Sequence, residues 1–329
     1  MEVSSLEWGI TIAVTVAVLL FDVVMIARDP HEPSLKECAT ALSVYIGAAV
    51  IFGAWIWIDH GHDYGVQFYA GWLTEYSLSI DNLFVFIILM ASLKVPRHLQ
   101  QEALMVGIIL ALIFRGIFIA LGYQLIANFS WVFYVFGAFL VYTAYSLVKS
   151  YRSDDDGHSE ENKIVAFAQR RLNVSDNYHG LKLFFIENGA RVVSPMLIVI
   201  IALGTTDLLF ALDSIPAIFG ITQEPYLVFT ANVFALMGLR QLYFLLGGLL
   251  QRLVYLSLGL SFILAFIGVK LVLHALHENE LPFINGGEHV KVPEISSLLS
   301  LGVIIVTLVA TAVASLIKDR ASQKSTPAI

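Results

Sequence analysis

The chain is poor in charge, in basic residues and in cysteine. Charged side chains make up 14% of its 329 residues, where an average soluble domain carries about 25%. Lys and Arg number 19 against 26 Asp and Glu, a net charge of −7. That balance excludes a nucleic-acid partner, because binding phosphate backbones takes clustered Lys and Arg. One cysteine, Cys38, excludes a disulfide within the chain and any multi-cysteine metal or redox motif. No nucleotide-binding loop and no nucleophile–base constellation is found, so neither an enzyme nor a permanently bound cofactor is expected. The first residues, Met1 to Glu7, lack the basic region of a signal peptide. The first apolar run is therefore expected to be retained.

What the chain does have is apolar length. Hydrophobic residues are 58% of it and its mean hydropathy is +0.78. Nine runs of about 20 residues are long enough to cross a bilayer, roughly 8–27, 38–58, 67–93, 104–127, 130–148, 192–219, 227–247, 253–275 and 297–317. The fold class is thus all-α, a single polytopic membrane domain. Two connections are long: 149–191, which is charged, and 276–296, which is acidic. Lys and Arg set the orientation. With the N-terminus outside, 15 of the 19 fall in cytoplasmic segments, from Arg28 and Lys36 to Lys318, Arg320 and Lys324, and only Lys291 falls outside. The remaining three, Arg115, Arg240 and Lys270, lie within spans. Trp55, Trp57 and Tyr69 read as interfacial aromatics. Gly53, Gly137, Gly238, Gly247 and Gly248 read as helix-packing positions. His60, His62 and Asp63 read as a solvated outer loop rather than a metal-entry patch.

Two of the apolar runs carry paired acids. One reads Thr74-Glu75-Tyr76-Ser77-Leu78-Ser79-Ile80-Asp81-Asn82, the other Thr206-Asp207-Leu208-Leu209-Phe210-Ala211-Leu212-Asp213-Ser214-Ile215-Pro216. Each sets two carboxylates six residues apart and follows the second with a small polar residue. A single charge at the bilayer centre costs about 2.5–3.5 kcal/mol on insertion scales, so four at matching positions call for a function. The echo extends further. Arg115 and Arg240 each follow an Ala-Leu pair, Ala111-Leu112 and Ala235-Leu236, and each is followed seven residues later by glycine. At the same offset Tyr145 falls opposite Lys270. Residues 67–148 therefore match 192–275, with the loop 149–191 between the copies and 297–317 as a final helix. Three crossings per copy make the second copy inverted. Inverted repeats typify secondary transporters, whose sites lie at the midplane between the repeats.

Residues six apart on a straight helix are turned by about 120° and separated by about 9 Å. Glu75 and Asp81 therefore cannot share a site within one helix, nor can Asp207 and Asp213. A pseudo-two-fold axis would bring Asp81 and Asp213 together, leaving Glu75 and Asp207 displaced as relay groups. Pro216 withholds a donor from the carbonyl of Leu212, and a freed carbonyl at membrane depth needs protein, water or an ion beside it. With Asn82 and Ser214 these groups form a hard oxygen site, suited to Mg, Ca or Mn. No span interior pairs Cys with His, so the site does not suit Zn or Cu(I). Five acids within spans, Asp22, Glu75, Asp81, Asp207 and Asp213, exceed the three bases Arg115, Arg240 and Lys270. One divalent cation or two protons would balance them. The three bases read as charge partners. Asp22 and Asn232 are further candidate site residues.

These stretches resemble the TerC family of integral membrane proteins, close to its Alx-type branch. The resemblance is carried by Glu75 through Phe86, Thr206 through Thr222 and Phe229 through Leu246. It implies a bacterial inner-membrane protein linked to manganese export and, by older naming, to tellurite resistance. The family's acidic positions map onto Glu75, Asp81, Asp207 and Asp213. One departure stands out: many relatives place a glutamate three residues before the position of Asp207, and here that residue is Gly204.

The expected function is export of a divalent cation, Mn2+ foremost, from a midplane site of Asp81, Asp213, Asn82 and Ser214 served by Glu75 and Asp207. Its partners are then Mn2+ as substrate and membrane lipid. Two other readings remain open: an oxyanion carrier built on the three bases, and a membrane scaffold recruiting cytoplasmic proteins through 149–191.

Overall fold

The computed structural model describes residues 1–28, 33–153, 175, 178, 180, 182–187, 190–246 and 255–325. Side chains of some helical residues, Asp81 and Asp213 among them, lie outside that description, as do Gly247, Gly248 and most of the 149–191 loop. Among the described residues, ten α-helices and one hairpin follow in order: α1 Ser5–Arg28, α2 Leu35–Asp59, α3 His62–Ser92, α4 Arg97–Asn128, α5 Val132–Ser153, β1 Phe184–Glu187, β2 Ala190–Val193, α6 Pro195–Phe219, α7 Pro225–Met237, α8 Leu239–Leu246, α9 Leu256–His277 and α10 Ser297–Ser325. Nine helical segments among the described residues are long and apolar enough to cross a membrane, with α7 and α8 counted as one segment. The chain is an all-α polytopic protein, as its hydropathy predicts. The antiparallel β1–β2 pair, joining Phe184 to Val193 and Glu187 to Ala190, was not expected.

The helix ends follow from local chemistry. Ser34 caps α2 in a reciprocal capping box with Glu37. Ser194 caps α6 by accepting from the Met196 amide, and Pro195 occupies the first turn, where no amide donor is needed. Pro225 opens α7 in the same way. The α3–α4 connection turns through Lys94 in the left-handed region, φ 53°, and Pro96 then directs the chain into α4. Pro216 sits inside α6, which runs on to Phe219.

In the bundle, α5 packs along α9, α3 against α7, α4 against α6, and α3 against α6. The helices α1 and α10 are peripheral and turn large apolar side chains outward, among them Ile10, Leu20, Val306 and Val313, as lipid contact requires. The α5–α9 contact is backbone on backbone. A Cβ placed on Gly137 would lie 2.7 Å from the Gly268 carbonyl oxygen, and one on Gly268 would lie 2.9 Å from that of Gly137. Without a hydrophobic driving force between helices in lipid, such close approach supplies the association energy. Gly53, against Tyr69, and Gly238, against Leu42, are packing positions too.

Buried apolar side chains form two clusters. One, nearer the end that carries the N-terminus, holds Phe68, Trp72, Leu78, Ile119, Ala211 and Ile215. The other holds Leu83, Phe86, Leu104, Ile108, Ala111 and Leu203. Polar residues occupy the junction between them: Arg115 lies between Ala111 and Ile119 on α4, and Asp207 between Leu203 and Ala211 on α6.

Gly137→Val is expected to destabilise the protein by about 1–3 kcal/mol through overpacking, read as a lowered unfolding midpoint in detergent. Gly116→Ala is the control. No atom lies within 4 Å of a Cβ at Gly116, so its midpoint should stay level or rise.

Candidate functional site

The fold brings one guanidinium into the middle of the bundle and arranges acids around it. Arg115 is 1% exposed, the largest of the fully buried side chains. Its charge is not removed by deprotonation in proteins, so burial demands anionic or carbonyl partners. Nη1 donates to Glu75 Oε2 at 2.6 Å and to the carboxamide oxygen of Asn232 at 2.8 Å. Nη2 reaches Asp207 Oδ1 at 3.4 Å, a longer and weaker contact. Four helices therefore meet at this residue: α3 through Glu75, α4 through Arg115 itself, α6 through Asp207 and α7 through Asn232. Charge-assisted bonds of this kind are about twice as strong as neutral ones.

The arrangement leaves negative charge and oxygen to spare. Glu75 and Asp207 share one guanidinium, so if both are ionised the cluster carries one excess negative charge. Glu75 Oε1 and Asp207 Oδ2 are both buried without a hydrogen-bond partner. So are the hydroxyls of Ser77, Ser79, Thr206 and Ser214. Native interiors pair the great majority of buried polar atoms, and this concentration on two helices marks a place built for something polar. Helical register explains part of it. Glu75, Ser79 and Asn82 fall at i, i+4 and i+7 on α3, one face, and all three are buried. Asp207 and Ser214 repeat the i, i+7 spacing on α6 and are also buried. Oxygen donors of this kind suit hard divalent cations.

Glu75 and Asp207, expected as relay groups displaced from a site of Asp81 and Asp213, are joined through Arg115, and Asn232 completes the set. On the α3 and α6 backbones, Asp81 and Asp213 fall about 120° around from Glu75 and Asp207. Arg240 is drawn elsewhere: Nη2 lies 3.5 Å from Asp22 Oδ1, and Tyr45 donates to Asp22 Oδ2 at 3.0 Å. Asp22 is therefore an ion-pair residue in a second cluster of α1, α2 and α8. Lys270 Nζ donates to Ser300 Oγ at 3.2 Å and lines a cleft of about 440 Å³ with Gln67, Thr222, His274 and Glu294. The sequence reading missed Tyr45, Ser77, Ser79 and Thr206. The i, i+4 relation of Ser79 to Glu75 was the available signal. At Gly204, an added Cβ would meet only Leu110 at 3.6 Å and Phe114 at 3.8 Å, ordinary contacts beside Arg115 on α4.

Comparison with known proteins agrees with this architecture. The model of the integral membrane protein TerC family matches residues 60–323. The chain belongs to the TerC family. An uncharacterized membrane protein of Mycobacterium tuberculosis is 46% identical over 317 residues, covering 96% of this chain and 80% of that one. An uncharacterized membrane protein of Myxococcus xanthus is 37% identical over 313 residues, 95% and 92% of the two chains. A protein of Escherichia coli named putative membrane-bound redox modulator Alx is 34% identical over 278 residues, 82% and 86% of the two. No solved structure matches this TerC protein.

Removing one partner of a buried ion pair costs about 3–5 kcal/mol, because the other charge is left uncompensated. Arg115→Met should therefore lower the unfolding midpoint in detergent sharply. Adding Glu75→Gln to it should recover part of the loss. A single variant as stable as the wild type would show that the guanidinium does not hold the acids.

Proposed function

We propose that this TerC protein exports a divalent metal cation, Mn2+ foremost, across the bacterial inner membrane, with its N-terminus outside and its C-terminus in the cytoplasm. The observation that carries the reading is the buried pair Glu75 and Asp207, sharing one guanidinium and each keeping an unpaired oxygen. In this account Arg115 stands in for the missing cation. An entering Mn2+ takes Glu75 Oε1 and Asp207 Oδ2, with the hydroxyls of Ser79 and Thr206 replacing part of its water, while Asn82 and Ser214, about 10 Å further along the same helices, line its path. Asp81 and Asp213, from the faces next around the same helices, guide the ion or carry protons against it. Family kinship and the excess of intramembrane acids over bases support a cation as cargo.

The packing supports alternating access between inverted repeats. Exchanging α3 with α6, α4 with α7 and α5 with α9 turns the α3–α7 contact into α6–α4 and returns α3–α6 and α5–α9 to themselves. The oxyanion reading loses support from Arg115, whose guanidinium is already shared by two carboxylates. The relatives' name as redox modulators does not suggest dithiol chemistry here, since Cys38 is the one thiol. A scaffold would tolerate neutral acids.

The test is the manganese content of cells lacking their own exporter. Wild type should lower it. Glu75→Gln/Asp207→Asn and, separately, Asp81→Asn/Asp213→Asn, at matched membrane levels, should return it to the level of cells without the protein. If both double variants export as the wild type does, the acids are structural and the reading fails. A Cβ at Gly204 makes only ordinary contacts with Leu110 and Phe114, so Gly204→Glu should place a third carboxylate near Arg115 and tighten Mn2+ binding by the purified protein several-fold.

A further inference from the structure

A second group of metal-ligating side chains lies at the end of the bundle that carries the N-terminus, away from the Arg115 cluster. The sequence suggests a solvated loop at His60, but the fold buries that residue. His60 caps α2, its amide donating to the Ile56 carbonyl at 2.9 Å, and its ring packs edge-on against Trp55 with centroids 5.4 Å apart. The side chain is only 10% exposed. Its Nε2 is shielded from solvent and faces Glu7 Oε1 at 3.2 Å and Asp59 Oδ2 at 3.6 Å. An imidazole nitrogen that faces two carboxylates at 3.2 and 3.6 Å is placed as a metal ligand would be.

The geometry points to a binding site for a divalent first-row transition-metal ion formed by Glu7, Asp59 and His60. One atom from each residue lies within 4.8 Å of the others. Ligands about 2.0–2.2 Å from a common ion stand about 3–3.5 Å apart when cis or tetrahedral, close to the observed separations. The Glu7 carboxylate is already oriented for the task. Its Oε2 accepts from the Ser4 amide at 2.6 Å and the Ser4 hydroxyl at 2.8 Å, which leaves Oε1 turned to the site. Fixing one carboxylate oxygen so that the other binds is a recurring outer-shell device. Asp59 is 57% exposed, so ions and water reach the site from solvent. One imidazole with two carboxylates suits Mn2+, Fe2+, Co2+ or Zn2+, and lacks the sulfur that selects Cu(I). The site does not depend on transport. If export holds, it lies on the side where the ion is released.

The test is pulsed electron paramagnetic resonance of Mn2+ added to the purified full chain in detergent. Wild type should show coupling of bound Mn2+ to an imidazole nitrogen, a signal the Arg115 cluster cannot produce because it contains no histidine. The coupling should vanish in His60→Phe, and Asp59→Asn, at an exposed position, should weaken binding at this site at least tenfold. Absence of imidazole coupling in wild type would mean an ion pair only and would overturn the site. Persistence of the coupling in His60→Phe, or Asp59→Asn binding as tightly as wild type, would overturn it as well.

Discussion

A permanent positive charge inside a membrane bundle dictates what surrounds it. Arg115 cannot shed its proton and cannot reach water, so the helices near it must bring compensating groups. They bring more than compensation requires. A single carboxylate would balance the guanidinium, whereas two are present together with a carboxamide and several unpaired hydroxyls. On the proposed account, this surplus separates a cation site from a structural ion pair. It also explains why the cluster lies at the junction of two apolar clusters rather than inside either one.

The two arginines that match in the repeat take different roles in the fold. Arg115 is sealed in the centre with α3, α6 and α7, while Arg240 meets Asp22 of α1, to which Tyr45 of α2 also donates. One arginine is thus paired at the side of the bundle and the other at its heart. On the proposed account, the close α5–α9 contact through Gly137 and Gly268 is the seam between the two copies. On the proposed account, movement of one copy against the other changes which side of the membrane the acids face.

Much of the fold was legible in the sequence because lipid imposes a simple rule. A helix must cover its own backbone polar groups and about 20 apolar residues must span the core, so hydropathy alone locates the spans. The β1–β2 pair escaped because four-residue strands among charged residues carry no such signal. The candidate site was legible in kind rather than in arrangement. Glu75, Asp207, Arg115 and Asn232 were all recognisable as costly buried groups. Periodicity gives the face of a helix but not the neighbour it meets, so the convergence of four helices on Arg115 had no one-dimensional signature. Tyr45 looked like an ordinary aromatic in an apolar run, and His60 like part of a solvated turn. Each acquires its role from a partner on another helix.

If the proposed export holds, the buried acids conduct a divalent cation. The most direct measurement is Mn2+ flux into proteoliposomes containing the purified chain, followed with an enclosed Mn2+-sensitive dye. The account predicts saturable flux well above that of protein-free liposomes, reduced to that background when Asp207 is replaced by Asn in a variant that still folds. Flux at background for the wild type, or flux that Asp207→Asn leaves unchanged, would contradict it.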